Sequence, residues 1–329
     1  MTVYITQILG SIIASSEESV IFFANGIGDA LMVRPTLLAI TSCYPQKFVL
    51  VTAKDTPTIL YHGLSFIRVD FVDVASTPSG KRITTPNWEI TNCGLFLSIV
   101  PWFNDTLANL LLLYKPQVTV GHFDHFHLKV PYASDRHSID VTFQFATLLE
   151  SSARLPEYCH PLLLPPGSAD LIHAVRRLVP SGSSLVAVHF ETARAKRPSE
   201  PWLSELLQIC RKALKNSYFV VLTREEKFDW LAGPRTIVLR GAPLYAAMAA
   251  VAESDLFIGC DSCMLHAADF SRVPGIAIFT LATLPEEFGY RISTDSICIS
   301  CQGGEKEIDE TVMNQVESYL STNFGRLRE

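Results

Sequence analysis

At 329 residues, with 48% apolar and 18% charged side chains, the chain has material for more than one hydrophobic core, and two domains are expected. A net charge of −6 without any Lys/Arg tract of five or more argues against a nucleic-acid partner held by phosphate neutralisation. No stretch reaches the roughly eighteen uncharged apolar residues of a transmembrane segment, so a soluble, cytoplasmic protein is expected, with peripheral attachment at an inner membrane left open.

Residues 1–19 carry a short apolar region with no Lys or Arg ahead of it and lead into a strand, which reads poorly as a signal peptide. The apolar run 20–24 (VIFFA) has strand length, and it stops at Asn25-Gly26-Ile27-Gly28-Asp29. Helical spacing of apolar residues follows over 30–40, so strand, glycine turn and helix open a βαβ unit. Gly26 and Gly28 allow close approach of a substrate to the turn. A dinucleotide fingerprint is disfavoured because its third glycine position is Leu31. Further strands are predicted at 48–52, 66–72, 95–100 and 118–120, with a helix over 105–114 and another ending at Leu149. Unbroken apolar strands alternating with helices imply a parallel sheet covered on both faces.

The segment 161–167 (PLLLPPG) reads as a stiff hinge strand, separating domains 1–165 and 166–329. Beyond it, helices are expected at 171–178, 201–214 and 244–252, and strands at 184–190, 218–223, 236–239, 255–260 and 275–279. A last helix is expected at about 308–320. Two doubly wound domains of this kind leave a cleft between the carboxyl ends of their sheets.

The very apolar strand 255–260 hands over to a helix from about Met264 through Asp261-Ser262-Cys263. Such a turn presents unpaired backbone N–H groups at the positive end of a helix dipole and so forms an anion seat. Asp261, Ser262 and His266 are then free to read the rest of a ligand. Lys196, with Arg194 and Arg197 nearby, lies at another strand end and can neutralise a diphosphate leaving group. Glu225 and Glu226 follow the strand 218–223 and can accept hydrogen bonds from ribose hydroxyls or simply start a helix. Asp29 reads either as an N-cap or as a general base for a nucleophilic hydroxyl. Cys260-x-x-Cys263 and Cys298-x-x-Cys301 can be paired thiolate knuckles for a structural zinc or iron, or reduced thiols of a cytosolic protein.

In order along the chain, Asn25-Gly26-Ile27-Gly28-Asp29, Asp135-Arg136-His137-Ser138-Ile139-Asp140, His189 through Lys196-Arg197-Pro198, and Gly259 through His266 resemble glycosyltransferase family 9, the ADP-heptose:lipopolysaccharide heptosyltransferases and their relatives. The resemblance runs from about residue 20 to 320. It implies the GT-B architecture, with two Rossmann-like domains facing each other across a cleft, acceptor in the first, nucleotide-sugar in the second, and a last helix returning towards the first. It also implies inverting sugar transfer without a catalytic metal. By that resemblance Asp29 is the general base, and Asn25, Gly26, Gly28 and His137 lie on the acceptor side. Lys196 holds the diphosphate, Glu225 or Glu226 the ribose, and Asp261, Ser262, Cys263 and His266 the pyrophosphate and donor sugar. Cys260 and Cys263 stand where the family usually has Asn and Gly.

The expected function is transfer of heptose or a related hexose from a nucleoside-diphosphate sugar, ADP-linked by the resemblance, to a glycan, lipid-linked, small-molecule or protein acceptor. Alternatives are a sugar-nucleotide epimerase or hydrolase of the same architecture, or a non-catalytic nucleotide-sugar-binding scaffold.

Overall fold

The computed structural model describes residues 2–77, 80–83, 92–301 and 307–324, which fall into two compact units, Met1–His160 and Pro161–Glu329. The first unit runs α1 (Thr2–Ser15), β1 (Glu18–Phe23), α2 (Ile27–Cys43), β2 (Phe48–Ala53) and β3 (Arg68–Val72). A hairpin of β4 (Val74–Thr77) and β5 (Gly80–Ile83) leads to β6 (Cys93–Ser98), α3 (Asp105–Tyr114), β7 (Val118–Gly121), β8 (Leu128–Lys129) and α4 (Ser138–Leu149). Its six-stranded sheet is parallel and ordered β3-β2-β1-β6-β7-β8. Val20 of β1 sits beside Val49 on one side and Phe96 on the other. All six residues of β2 and of β6 are buried, as a sheet covered on both faces requires.

The second unit contains α5 (Asp170–Leu178), β9 (Ser184–His189), α6 (Glu200–Ala213), β10 (Ser217–Thr223), β11 (Thr236–Arg240) and α7 (Leu244–Ala252). It continues through β12 (Leu256–Cys260), α8 (Cys263–Phe270), β13 (Gly275–Thr280), α9 (Pro285–Phe288), β14 (Ile297–Cys301) and α10 (Glu310–Phe324). Its parallel sheet is ordered β11-β10-β9-β12-β13-β14. Counted within each unit, both sheets have the doubly wound order 3-2-1-4-5-6. That order reverses direction at β1/β6 and at β9/β12, the positions where open α/β sheets bind ligands.

Local signals explain the helices that cover these sheets. In α6, Ser199 Oγ accepts the Trp202 N–H, Pro201 occupies the first turn and Arg211 and Lys212 the last. Trp202, Leu203, Leu206 and Leu207 then form one buried stripe against the sheet. The last helix packs against α6 and adds Val312, Val316 and Leu320 to the second unit's core.

Several elements go beyond the sequence expectations, among them the short strand β8 and the short helix α9. The lead-in to β1 is α1, whose Leu9 and Ile13 are buried where it packs on β6 and α4. The β4–β5 hairpin and the edge strand β14 were also not expected. Conversely, residues 161–167 form no strand: Gly167 at φ 79° turns the chain towards α5, and Ser168 Oγ donates to Pro165 O.

At the reversal in the second sheet, Gly259 of β12 lies opposite His189 of β9. A Cβ there would come within 2.6 Å of His189 O and collide with the Phe257 ring. Glycine is required because two backbones approach each other here, not because of an unusual φ. Gly259→Ala is therefore expected to cost about 1–3 kcal/mol of stability by urea denaturation, and an unchanged midpoint would show that the two strands can separate freely.

Candidate active site

The carboxyl ends of β1 and β6 meet at the reversal point of the first sheet. Trp102, just past β6, packs edge-on against Phe22 of β1 and donates its indole N–H to Asn25 Oδ1 at 2.8 Å, which pins the glycine turn. Gly26 is the N-cap of α2, with ordinary backbone angles of φ −70° and ψ 171°. The freedom expected of a glycine is thus not used for a left-handed turn. Asp29 is the third residue of the helix rather than its cap: Oδ2 accepts the Gly26 N–H at 3.2 Å, and the half-buried carboxylate stays at the positive end of α2. His137 is buried and caps α4, its Nδ1 accepting the Ile139 N–H at 3.2 Å. The two helices that carry Asp29 and His137 pack against each other.

The second reversal point is more highly charged. Asp261, 3% exposed, follows β12 and receives Lys196 Nζ on Oδ2 at 2.8 Å. Thr192 Oγ1 donates to Asp261 O at 2.6 Å, and Thr280 Oγ1 at the end of β13 donates to Ala195 O at 2.7 Å. Lys196 also sits 5.7 Å above the Phe288 ring. The chain after β9 is thereby strapped to the ends of β12 and β13. Arg194 is exposed on the single 3-10 turn that carries Lys196, and Arg197 stacks over Phe228.

Ser262 is the backbone N-cap of α8, but its hydroxyl does not cap the helix. That oxygen is buried and has no hydrogen-bond partner among the described residues. The Cys263 sulfur lies against the N–H groups of Cys263 and Met264; burial nevertheless pushes this thiol up to about 11, with Arg224 pulling the other way. His266 is buried in the same helix.

Sequence reasoning missed Glu191 and Arg224. Glu191 is 8% exposed; its Oε2 accepts Arg224 N–H at 2.7 Å and the Thr223 hydroxyl at 3.2 Å, and its Oε1 accepts Arg224 Nε–H at 2.7 Å. Burial alone would raise the Glu191 carboxyl, but the Arg224 backbone and guanidinium outweigh it and hold the group below its ordinary range. Glu191 lies two residues past β9 and Arg224 directly past β10, and only the pairing of these two strands brings them together. Of the expected ribose ligands, Glu225 is half-buried beside Thr223, while Glu226 is exposed and faces Arg240 at 3.8 Å. His189 is core: it is buried, its Nδ1 donates to Leu222 O at 2.9 Å, and burial lowers its pKa.

The four CxxC cysteines do not converge. Cys298 and Cys301 lie three residues apart in a strand, which points them to opposite faces. Cys301 joins the α6-side core with Cys260, whereas Cys298 lies near Gly289. All four are free thiols, and among the described residues no group of three or more His, Cys, Asp or Glu is arranged to hold a metal ion. No described helix is long and apolar enough to cross a membrane.

No protein-family model matches the chain, and no curated protein does. Solved structures match over nearly its whole length. The glycosyl transferase family 9 protein of Veillonella parvula superposes with a TM-score of 0.69 at 14% identity, covering 93% of this chain and 96% of that one. The chain has the fold of the family 9 glycosyltransferases. E. coli heptosyltransferase WaaC, solved with ADP, gives 0.64 at 15% identity over 94% and 99%; E. coli ADP-heptose LPS heptosyltransferase II gives 0.62 at 11% over 94% and 98%. The two doubly wound α/β units expected from the sequence are observed, and the fold is that of the GT-B neighbours.

Within this family 9 fold, the second unit's ion pairs make two separable predictions. Lys196→Ala leaves a buried carboxylate without its cation; because the Lys196 side chain is 36% exposed, the expected loss is about 1–3 kcal/mol rather than that of a fully buried pair, by urea denaturation. For Glu191, the folded pKa lies below the unfolded one, so its stabilisation is present above the ordinary glutamate range and fades as pH falls below it. Glu191→Gln should therefore be less stable than the native chain at pH 7, with the gap closing once pH drops well below about 4.3. A gap that stays constant with pH would show that the ionised carboxylate contributes nothing.

Proposed function

We propose that the chain is an inverting glycosyltransferase that moves a heptose or related hexose from an ADP-linked donor to an acceptor hydroxyl. The observation that carries this is the Asp261–Lys196 pair at the head of α8, beside the unpartnered Ser262 hydroxyl. A cation, a buried hydroxyl and a helix N-terminus at a sheet reversal suit a phosphate ester. A thiol is a weak acceptor, so a phosphate oxygen would readily displace the Cys263 sulfur from the first N–H groups of α8. The fold likeness supports the same donor class: WaaC has been solved both with ADP and with ADP-2-deoxy-2-fluoro heptose.

In this mechanism Asp29 accepts the proton of the acceptor hydroxyl, whose oxygen attacks the anomeric carbon from the face opposite the diphosphate. The bond from that carbon to the phosphate oxygen breaks, and the nucleoside diphosphate leaves with the electron pair. Lys196 and the α8 N–H groups stabilise the charge that develops on it. The Asn25–Trp102 hydrogen bond keeps the turn before Asp29 fixed, so the base does not have to be oriented at the moment of reaction. Catalysis in this scheme requires no metal.

The test combines product analysis with mutation. With ADP-heptose and a panel of glycan, lipid-linked, small-molecule and protein acceptors, the native chain should form a product of inverted anomeric configuration. Asp29→Asn should lower turnover by about 100-fold or more while ADP affinity changes less than about twofold. Native turnover in that variant would remove Asp29 from the role. Donor consumed without acceptor would point to a hydrolase or epimerase, and donor bound without turnover to a scaffold.

A further inference from the structure

The carboxyl end of β10 carries a second cation that the scheme above leaves idle. Arg224 is held by Glu191 through its backbone N–H and its Nε–H, both at 2.7 Å. The Glu191 side chain is 6% exposed and that of Arg224 is 82% exposed, so a buried acid grips the stem of an arginine whose head stands in solvent. An exposed ion pair adds little stability, and burying a carboxylate is costly. The arrangement is better suited to orientation: with Nε occupied, the two terminal NH2 groups face outward as a fork that matches two oxygens of one anion. Arg224 makes no other hydrogen bond or ion pair among the described residues.

Its location connects this fork to the anion seat. Glu191 is followed by Thr192, which donates to Asp261 O at 2.6 Å, so the same loop grips both Arg224 and the turn before α8. The charge of Arg224 is felt at Cys263, the first residue of α8. The β10 end that carries Arg224 and the β13 end that holds Ala195 beside Lys196 thus flank the loop that reaches the turn before α8.

We propose that Arg224 binds the phosphate nearer the nucleoside, with Glu191 as its positioning residue, while Lys196 serves the phosphate nearer the sugar. This rests on the donor assignment made above. Two phosphates are then read by two separately anchored cations, and the seat recognises a diphosphate by its length as well as its charge.

Arg224→Gln isolates the fork, because the glutamine Nε2 occupies the place of the arginine Nε and can still donate to Glu191. Isothermal titration would use whichever of ADP, GDP, UDP and CDP binds the native chain best, together with its monophosphate and its nucleoside. Arg224→Gln should weaken diphosphate and monophosphate alike by about tenfold or more, leave the nucleoside unchanged and leave the melting temperature of the free protein nearly unaltered. Lys196→Ala should weaken the diphosphate far more than the monophosphate. Glu191→Gln, although less stable at pH 7, should show the Arg224→Gln binding pattern with a smaller effect, weakening diphosphate and monophosphate alike and sparing the nucleoside, a selectivity that a merely structural role would not produce. If Arg224→Gln binds both nucleotides as the native chain does, or weakens the diphosphate alone, the assignment of Arg224 falls while the donor reading stands. If the native chain binds none of the four diphosphates, both fall.

Discussion

A carboxylate buried at the head of a parallel sheet has to be neutralised, and most of the second unit's chemistry follows from how Asp261 is. Lys196 reaches it from the 3-10 turn after β9, where the chain crosses the sheet's carboxyl edge and brings the ammonium in. On its way that crossing is fixed three times, to Arg224 by Glu191, to Asp261 O by Thr192 and to Thr280 by Ala195. One loop therefore ties the ends of β10, β12 and β13 to that of β9. The narrow spacing of β9 and β12 at Gly259 keeps those ends in place.

The two units share one strand order and solve its reversal point differently. In the first, a neutral hydrogen bond from Trp102 to Asn25 holds the turn, and the nearby carboxylate of Asp29 remains half-buried. In the second, two ion pairs and an unpartnered hydroxyl gather at the corresponding position. In the proposed reaction this contrast would leave the first unit to handle an uncharged hydroxyl and the second a polyanion, on scaffolds that share one strand order.

Much of this was legible in the sequence wherever the cause was local. Continuous apolar runs bounded by turn residues located the buried strands, and α3 and α7 begin and end where the spacing of their apolar residues and their flanking residues placed them. Asp261 and Lys196 were singled out from strand-end positions alone, though not that they touch. What escaped depends on partners distant in the chain. Helix α1 has no charged residue to mark a solvent face, and it is helical where α4 and β6 cover it. Glu191 and Arg224 meet because β9 and β10 pair in register, a fact no single window of sequence contains. The second CxxC pair lies within a strand, where its spacing turns the two thiols to opposite faces instead of bringing them together as a turn would. Of the two sequence readings of Asp29, the N-cap is not the one observed: Gly26 caps α2, and Asp29, three residues on, reaches back to its N–H.

Each six-stranded sheet draws all its strands from one uninterrupted half of the chain, residues before 161 or after 160. Translation at roughly 5–20 residues per second takes on the order of ten seconds or longer to deliver the second half, ample time for a single mixed α/β domain to fold. The amino-terminal sheet can consequently be complete, its β1–β6 pairing included, while the ribosome is still making its counterpart. Nascent copies would then expose only one unfinished apolar sheet at a time, which limits the misassembly open to a protein built from two such similar topologies.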